Sequence, residues 1–302
     1  MAIYVNTNVS SLHGRRSLNN VQNSLSTTYQ RLSSGLRINS AKDDAAGLQI
    51  ADRLTTQING LNQGNRNTND GIALAQTVES ALDETSGMLQ KIRTLAVQSA
   101  NGTNTAEDRD ALKKEANALM DEVTRIAKQT KFGGKTILKG ATAGSIFNTA
   151  ANKASNKEGK LTLQVGANNG DEISFDVSNF MFSFIVSRAD GTTKATAWSA
   201  QKGVLLSTAE KSKEVISLMD KLIADVDKQR SGLGAIQNRL ESSIRNQSNV
   251  AANQADARSR IRDADFAEES ANLSQQSIIQ QAATSMLMQA NSRPQLALSM
   301  LG

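Results

Sequence analysis

The chain has 302 residues, of which 38% are hydrophobic and only 3% aromatic, and its net charge is +5. It contains no cysteine and one proline, Pro294, which excludes a disulfide framework, a zinc–thiolate site and a thiol nucleophile and favours long uninterrupted helices. No stretch approaches the roughly 18 apolar residues of a membrane span, so no membrane insertion is predicted.

The first predicted helix lies in the N-terminal tail, where large side chains recur at spacings of three or four. These side chains are Leu18, Val21, Leu25, Tyr29, Leu32 and Leu36. Residues 1–42 contain basic residues and no acid, so this tail alone has a charge of +5. The basic residues are Arg15, Arg16, Arg31, Arg37 and Lys42. The apolar stripe is narrow, and isolated helices of modest propensity are marginal in water, so we expect the helix to need a partner.

The second predicted helix is long, and one apolar stripe runs along it from Leu54 to Ile92. The stripe is partly polar, because Asn65 and Thr68 lie on it. Glycines lower its intrinsic helicity, each by roughly 1 kcal/mol against alanine, so the helix is expected to depend on its neighbours. These glycines are Gly60, Gly64, Gly71 and Gly87.

Three more helices are predicted further along the chain. Thr105 is the predicted N-cap of the third helix, because Asp108 follows three residues later, as in a capping box. A fourth periodic segment covers about residues 207–257, and fifty helical residues span about 75 Å, which suits a coiled coil or a fibre subunit. The last amphipathic segment begins at Phe266. Its large apolar residues include Leu273, Ile279 and Met286.

The centre of the chain differs in composition, because residues 140–205 are rich in Gly, Ala, Ser, Thr and Asn. Residues 161–165 and 173–177 alternate apolar and polar side chains on either side of a glycine-containing turn, which predicts a β-hairpin. Residues 180–186 are predicted to form another strand. The predicted fold is therefore mainly α, with long antiparallel helices in a coiled-coil rod and a small β-hairpin region.

Signals for catalysis or ligand binding are weak. His13 is the only histidine and has no acidic neighbour in sequence. Asp43 and Asp44 are adjacent, but no third ligand follows at a spacing typical of a metal site, so a helix start or a salt bridge is the better interpretation. Residues 134–136 resemble the end of a P-loop, yet Gln129 stands where that motif needs glycine, and we interpret them as a turn. No enzyme activity, metal or cofactor is predicted.

Nucleic-acid binding is the main competing function, since the net charge is positive. A nucleic-acid binder concentrates Lys and Arg in a stripe or interleaves them with stacking aromatic side chains. Here the basic excess is spread over residues 1–42, where Tyr4 and Tyr29 are the aromatic residues. Nucleic acid is therefore not an expected partner.

Long segments at both ends of the chain resemble bacterial flagellins. The matching segments are residues 31–50, 64–72, 95–102, 130–138, 233–240, 263–270 and 289–302. The first reads Arg-Leu-Ser-Ser-Gly-Leu-Arg-Ile-Asn-Ser-Ala-Lys-Asp-Asp-Ala-Ala-Gly-Leu-Gln-Ile, and the last reads Gln-Ala-Asn-Ser-Arg-Pro-Gln-Leu-Ala-Leu-Ser-Met-Leu-Gly. The similarity covers about residues 1–140 and 205–302, which leaves only about 65 residues between the two regions. The resemblance therefore implies a short form without large outer domains.

The resemblance implies a structural subunit that self-assembles into the flagellar filament for motility, with the hook–filament junction protein of the same family as the alternative. It implies an inner filament domain of residues 1–42 and 258–302, and a helical rod of residues 43–257 with the β region at 140–205. It also implies secretion to the cell exterior through the flagellar type III export apparatus with an export chaperone, and contacts with filament cap and hook-associated proteins.

Two sets of residues are expected to act in assembly. The two tails have opposite charges and narrow apolar stripes, so they are predicted to pair as antiparallel helices that leave apolar edges for other copies of the chain. The residues predicted to pair the tails are Arg31, Arg37, Asp263, Asp265 and Glu268. The residues predicted to act in self-assembly are Val9, Leu12, Leu18, Val21, Leu25, Leu32, Phe266, Leu273, Ile279 and Met286.

Some flagellins are sensed by a host Toll-like receptor, and the resemblance implies which residues would contact it here. They are Lys91 and Leu95 on one helix and Glu115 on its neighbour. The usual basic residue at the first position is arginine, whereas Lys91 keeps the charge but lacks the planar guanidinium fork that makes bidentate contacts. We therefore expect receptor signalling that is retained but weaker.

Overall fold

The computed structural model describes residues 7–142, 144–147, 159–189, 197–199 and 203–299, with the side chains of the last helix described as far as Ser292. Its helices are α1 (Val9–Ser34), α2 (Ala45–Ser99), α3 (Ala106–Gln129), α4 (Phe182–Ala189), α5 (Ala209–Arg262) and α6 (Phe266–Ser299). Its strands are β1 (Lys131–Phe132), β2 (Lys135–Thr136), β3 (Gly159–Gln164), β4 (Glu172–Val177), β5 (Trp198–Ser199) and β6 (Gly203–Val204). Each strand pairs with one neighbour in an antiparallel two-stranded sheet, so the predicted mainly α fold is confirmed.

The capping box at the start of α3 is present as predicted. The Thr105 hydroxyl oxygen accepts a hydrogen bond from the backbone N–H of Asp108 at 3.2 Å, and the Asp108 carboxylate accepts one from the backbone N–H of Thr105 at 2.9 Å. The hydroxyl of Thr105, followed by its backbone N–H, lowers the pKa of Asp108. Because that carboxylate is favoured in the folded chain, its stabilising contribution is present at neutral pH and is lost only as the pH falls through the lowered pKa.

The strand predicted over residues 180–186 is wrong, because Phe182–Ala189 forms the helix α4. The prediction followed the β-branched and aromatic content of this segment. In the structure the buried side chains of α4 are Phe182, Ile185 and Val186, at the spacing of one helical face rather than the alternation of a strand. Burial of that face decides the conformation of this segment, against the local strand propensity.

The chain divides into two compact units. One contains Met1–Ile58 and Val250–Gly302, and the other contains Asn59–Asn249. Helices α2 and α5 contribute residues to both units. The predicted filament domains, with boundaries after residues 42 and 257, describe the assembled state and stay a prediction.

The first unit is built on α1 and α6, which run antiparallel. The side-chain amide of Asn8, at the start of α1, donates a hydrogen bond to the Ala290 carbonyl at 2.8 Å, late in α6. At the other end of the pair, Arg31 forms an ion pair with Glu269 at 3.1 Å, early in α6. Gly14 lies directly opposite Leu287, whose Cδ1 atom would be 3.1 Å from a Cβ atom at position 14. The N-terminal helix α1 therefore pairs with the C-terminal helix α6, which is the partner predicted from the sequence.

The second unit contains the main hydrophobic core. Apolar residues of α2, α3 and α5 supply most of its helical part, and four buried phenylalanines supply the part around the strands. The phenylalanines are Phe147, Phe175, Phe180 and Phe182. The rings of Phe147 and Phe175 meet edge to face with centroids 5.9 Å apart. The strands are too short to carry a long apolar stripe, so these phenylalanines provide most of the buried apolar surface around them.

The predicted β-hairpin is confirmed as β3 paired with β4, with Leu163 opposite Ile173. It packs on α2 at glycines of that helix. A Cβ atom at Gly60 would lie 2.7 Å from Ala167 Cβ, one at Gly64 would lie 1.9 Å from the Val165 carbonyl oxygen, and one at Gly71 would lie 2.3 Å from a Leu163 methyl group. The side-chain amide of Asn67 donates to the Gln164 carbonyl at 3.0 Å on the same face. The glycines therefore allow a β-strand backbone to lie directly against a helix.

Replacing Gly64 by alanine should therefore destabilise the chain, whereas replacing Gly87 by alanine should stabilise it. The Gly64→Ala methyl group overlaps the Val165 backbone, and overpacking of this kind costs about 1–3 kcal/mol. Gly87 lies in the same helix with no atom within 4 Å of a Cβ position, so its replacement should gain about 1 kcal/mol from helix propensity alone. Urea unfolding followed by circular dichroism measures both, and an equal gain for the two variants would refute the docking role of Gly64.

Candidate assembly surface

The end of α1 is tied to the turn between α5 and α6 by backbone hydrogen bonds. The Arg37 N–H donates to the Arg262 carbonyl at 2.7 Å, and the Ala264 N–H donates to the Gly35 carbonyl at 3.0 Å. Leu36 and Asp263 form an isolated antiparallel bridge between these bonds. Backbone hydrogen bonds therefore join the end of α1 to the turn just before α6. This junction sets the register in which the two terminal helices pair.

The α1–α6 seam, defined here as the residues that each helix turns toward the other, follows a spacing of three and four on both sides. On α1 it consists of Ser11, Gly14, Leu18, Val21, Leu25, Thr28 and Leu32, all of which are buried or half-buried. On α6 it consists of Glu269, Leu273, Gln276, Gln280, Ala283, Leu287 and Ala290, which are also buried or half-buried. The seam is that of an antiparallel coiled coil, but small and polar side chains occupy half or more of it on the α6 side.

Arg31 and Glu269 form the ion pair of this seam. Their N–O distance is 3.1 Å, and the Glu269 side chain is only 9% exposed. Glu269 was not singled out from the sequence, where only its neighbour Glu268 was. The signal that identifies it is its position one helical turn before Leu273, on the side of α6 that faces α1, whereas Glu268 lies on the exposed side.

The other predicted tail-pairing residues have different partners. The Arg37 guanidinium donates to the Ile261 carbonyl at 2.6 Å. The Asp263 carboxylate accepts from the Ser259 hydroxyl at 2.6 Å, and the Asp265 carboxylate accepts from the Ala267 N–H at 2.8 Å and so caps α6. Among the described residues, neither aspartate forms an ion pair with an arginine of α1, and Glu268 is exposed. The acidic end of α6 therefore serves first to start that helix.

The residues predicted to act in self-assembly fall into two groups. Val21 is buried in the seam, and Leu18, Leu25, Leu32 and Leu273 are half-buried there. The other five are exposed, and these are Val9, Leu12, Phe266, Ile279 and Met286. Ile278 and Met288 on α6 are 66% and 69% exposed, although the sequence did not single them out. The pair of helices thus leaves most of its largest apolar side chains outside the seam.

An open groove of about 680 Å³ runs along one flank of the α1–α6 seam. Small residues of both helices line much of it, namely Ser10, Gly14, Ser17, Ala282 and Ala283. Ile279 and Met286 line it with apolar atoms, and His13 also lines it. The described part of α6 has no charged side chain from Ser270 to Ser292. The flank is therefore an uncharged, partly apolar channel open to solvent.

The three predicted receptor-contact residues lie close together but differ in exposure. Lys91 Nζ and Glu115 Oε1 form an ion pair at 3.3 Å, and both side chains are about half exposed, at 59% and 48%. Leu95 is only 7% exposed and belongs to the hydrophobic core of the second unit. An exposed ion pair thus lies near a leucine that is part of the hydrophobic core.

The features that resemble catalytic or ligand sites have structural partners. The Asp43 carboxylate accepts the backbone N–H groups of Ser40 and Asn39 at 2.9 and 3.0 Å, and these bonds lower its pKa. Gly133 and Gly134 have positive φ and form the tight turn between β1 and β2, so the segment that resembles a P-loop is a hairpin turn. Within the described ranges, no cluster of three metal-ligating side chains occurs and no helix has the length and hydropathy of a membrane span.

Comparisons with known proteins place this architecture in one family. Residues 5–143 match the bacterial flagellin N-terminal helical region, and residues 216–301 match the bacterial flagellin C-terminal helical region. Flagellin B of Vibrio anguillarum is 35% identical over 376 positions, and Polar flagellin C of Vibrio parahaemolyticus is 35% identical over 383 positions; in both cases all of each chain is covered. A putative flagellar hook-associated protein from Vibrio parahaemolyticus has the same fold, with a TM-score of 0.55 and 16% identity over 73% of this chain and 100% of its own.

The chain belongs to the bacterial flagellin family. It is a structural subunit of the flagellar filament, which lies outside the cell, and the alternative of a hook–filament junction protein is not favoured. The alignment with Flagellin B extends over 376 positions against 302 residues here, so that relative contains segments that this chain lacks.

Glu269→Gln should weaken the α1–α6 pair, whereas Glu268→Gln should not. The first change leaves the half-buried Arg31 without its carboxylate, which costs about 1–3 kcal/mol per subunit. The second alters an exposed side chain at the next position and serves as the control. Filaments of each variant can be heated while their dissociation is followed by light scattering. Identical dissociation temperatures for the two variants would rule out a role for the buried ion pair.

Proposed function

We propose that neighbouring subunits assemble through the flanks of the α1–α6 seam. The observation that supports this most directly is the exposure of large apolar side chains around a seam whose α6 side is mostly small and polar. Leu12, Met286 and Met288 are 54%, 65% and 69% exposed. Helices that leave such side chains in water gain free energy when another copy covers them, at roughly 25 cal/mol for each Å² of apolar surface removed from water.

In this proposal the groove beside the seam receives an apolar edge of a second copy of the chain. Its small lining residues, such as Gly14 and Ala283, allow close approach, and the absence of charge on α6 from Ser270 to Ser292 removes the desolvation cost that charges would impose. Residues 1–42 and 258–302 then form the inner filament domain, and residues 43–257 form the outer rod. The subunit acts by assembly and performs no chemical catalysis.

The route to the filament is part of the same proposal. The subunit leaves the cell through the flagellar type III export apparatus with an export chaperone, and it assembles next to filament cap and hook-associated proteins. Lack of cysteine and the single proline are compatible with this route, because neither disulfide reshuffling nor repeated proline isomerisation delays refolding after export.

Met286→Asp should prevent filament growth, whereas Met286→Leu should not. The aspartate puts a charge on the apolar flank, and burying an unpaired charge against a neighbouring subunit is strongly unfavourable. Leucine keeps a similar volume and hydrophobicity at the same position, so it is the matched control. Negative-stain electron microscopy of purified protein under polymerising conditions gives the result. Normal filaments from Met286→Asp would contradict the proposed surface.

Recognition by a host Toll-like receptor is a second proposed function, supported by the exposed pair of Lys91 and Glu115. Leu95 is a poor probe, because a charge at a position only 7% exposed would disturb the core. The double variant Lys91→Glu, Glu115→Lys exchanges the two charges and can keep the ion pair at 3.3 Å. The fold should therefore survive while the surface charge pattern is reversed.

The charge-exchanged variant should lose receptor signalling in a reporter-cell assay, while its circular dichroism spectrum and filament formation stay unchanged. An exchange at Lys114 and Asp110, a similar ion pair on α3 with an N–O distance of 3.0 Å, is the control and should signal normally. Full signalling by the Lys91→Glu, Glu115→Lys variant would remove this surface as the receptor contact.

A further inference from the structure

Three asparagines in the chain precede glycine, and the structure places them in three different backbone settings. They are Asn59, Asn101 and Asn169. Asparagine followed by glycine is chemically labile, because the backbone nitrogen of a residue without a Cβ atom can reach the side-chain carbonyl carbon of the asparagine. Whether it does so depends on the backbone conformation and on where the side chain is held.

Asn59 is held away from this reaction, and no hydrogen bond among the described residues holds the Asn169 side chain over Gly170. Asn59 lies inside α2, where helical φ and ψ keep the next backbone nitrogen in the helix hydrogen-bond ladder and away from the side-chain carbon. Asn169 lies in the turn between β3 and β4. That turn is fixed by the Asp171 carboxylate, which accepts the Asn168 N–H at 3.0 Å, and by the Val165 N–H, which donates to the Asp171 carbonyl at 2.9 Å.

Asn101 lies in the exposed connection between α2 and α3, and its side chain is held over the following peptide. Its Oδ1 atom accepts the backbone N–H of Thr103 at 3.4 Å, the pattern of an Asx turn, in which the side-chain amide folds back over the following peptide. The same hydrogen bond draws electrons toward Oδ1 and favours attack at the side-chain carbonyl carbon. The Gly102 N–H donates to no acceptor among the described residues, so no backbone bond has to break first.

We propose that Asn101 is a site of spontaneous deamidation, an inference independent of the assembly function. The Gly102 nitrogen loses its proton to solvent hydroxide and attacks the Asn101 side-chain carbonyl carbon. A carbon–nitrogen bond forms, the side-chain nitrogen takes a proton from water as its bond to carbon breaks, and it leaves as ammonia, so a five-membered imide joins the two residues. Water then opens the imide at either carbonyl and produces aspartate or isoaspartate, without a change of oxidation state.

The surroundings of Asn101 accommodate the carboxylate that results. The Arg109 guanidinium donates to the Asn101 carbonyl at 3.1 Å and to the Ser99 carbonyl at 3.0 Å. A cation is thus already present at the main chain of Asn101, beside the carbonyl end of α2 that would otherwise repel a new negative charge. The isoaspartate product also lengthens the main chain by one carbon between α2 and α3. An exposed filament that is not resynthesised would accumulate both products with age.

The test is to incubate the full-length chain, as filaments, at mildly alkaline pH and to quantify deamidation at the three asparagines by peptide mass spectrometry. Asn101 should react fastest and Asn59 slowest, roughly tenfold apart, because only the folded backbone distinguishes the three sites. In urea the three rates should converge. A native rate at Asn59 or Asn169 equal to or above that at Asn101 would overturn the proposal.

Gly102→Ala provides a variant that should fold normally, because no atom lies within 4 Å of a Cβ atom at this position and its φ is not positive. The added methyl group hinders attack by the backbone nitrogen, so deamidation at Asn101 should fall roughly tenfold while the rate at Asn169 stays the same. An unchanged rate at Asn101 in this variant would show that the reaction does not pass through the imide and would also overturn the proposal.

Discussion

The pairing of α1 with α6 depends on a seam that buries little apolar surface on the α6 side. Gln276, Gln280 and Ala283 occupy positions that leucine or isoleucine would fill in a stable two-stranded coiled coil. Each such substitution reduces the apolar area that pairing of α1 with α6 can bury. The pair leaves large apolar side chains exposed to solvent instead, among them Met286, Met288 and Ile278. In the proposed assembly, burial of these side chains against another copy supplies the free energy that the seam lacks.

The second unit follows a different principle, because it buries its own large side chains. Its core joins long apolar stripes on α2 and α5 to four phenylalanines around the short strands. Arg188 and Asp225 form a partly buried ion pair there, and the Arg188 guanidinium lies 5.2 Å from the centre of the Phe180 ring. These contacts connect α4 to α5 without help from another copy. The two units therefore differ in composition: the second has a core of large aromatic and aliphatic side chains, and the first has a seam of mixed aliphatic, small and polar side chains.

Much of this architecture could be predicted from the sequence where a local rule and a long pattern agree. The capping box at Thr105, the hairpin around residues 166–170 and the long helices are examples. The predictions fail where the conformation or the partner of a residue depends on which residue of another element lies opposite it. Residues 180–186 have strand-like composition, and only the core that receives Phe182 and Ile185 makes them helical. Glu268 and Glu269 are neighbouring residues of the same type, and only the register of α6 against α1 shows that Glu269 pairs with Arg31. The burial of Leu95 follows likewise from packing, which periodicity alone does not measure.

The glycines of α2 show how a local cost can encode a tertiary contact. At 100° per residue, Gly60, Gly64 and Gly71 fall on one side of the helix, and all three lie against residues 163–167 of the hairpin region. Each costs helix propensity of roughly 1 kcal/mol, yet any side chain at Gly64 would occupy the place of the Val165 carbonyl. Gly87 lies on the opposite side of the same helix, and nothing among the described residues approaches it. Composition therefore cannot distinguish the four glycines, whereas helical geometry separates the three that position the hairpin from the one that does not.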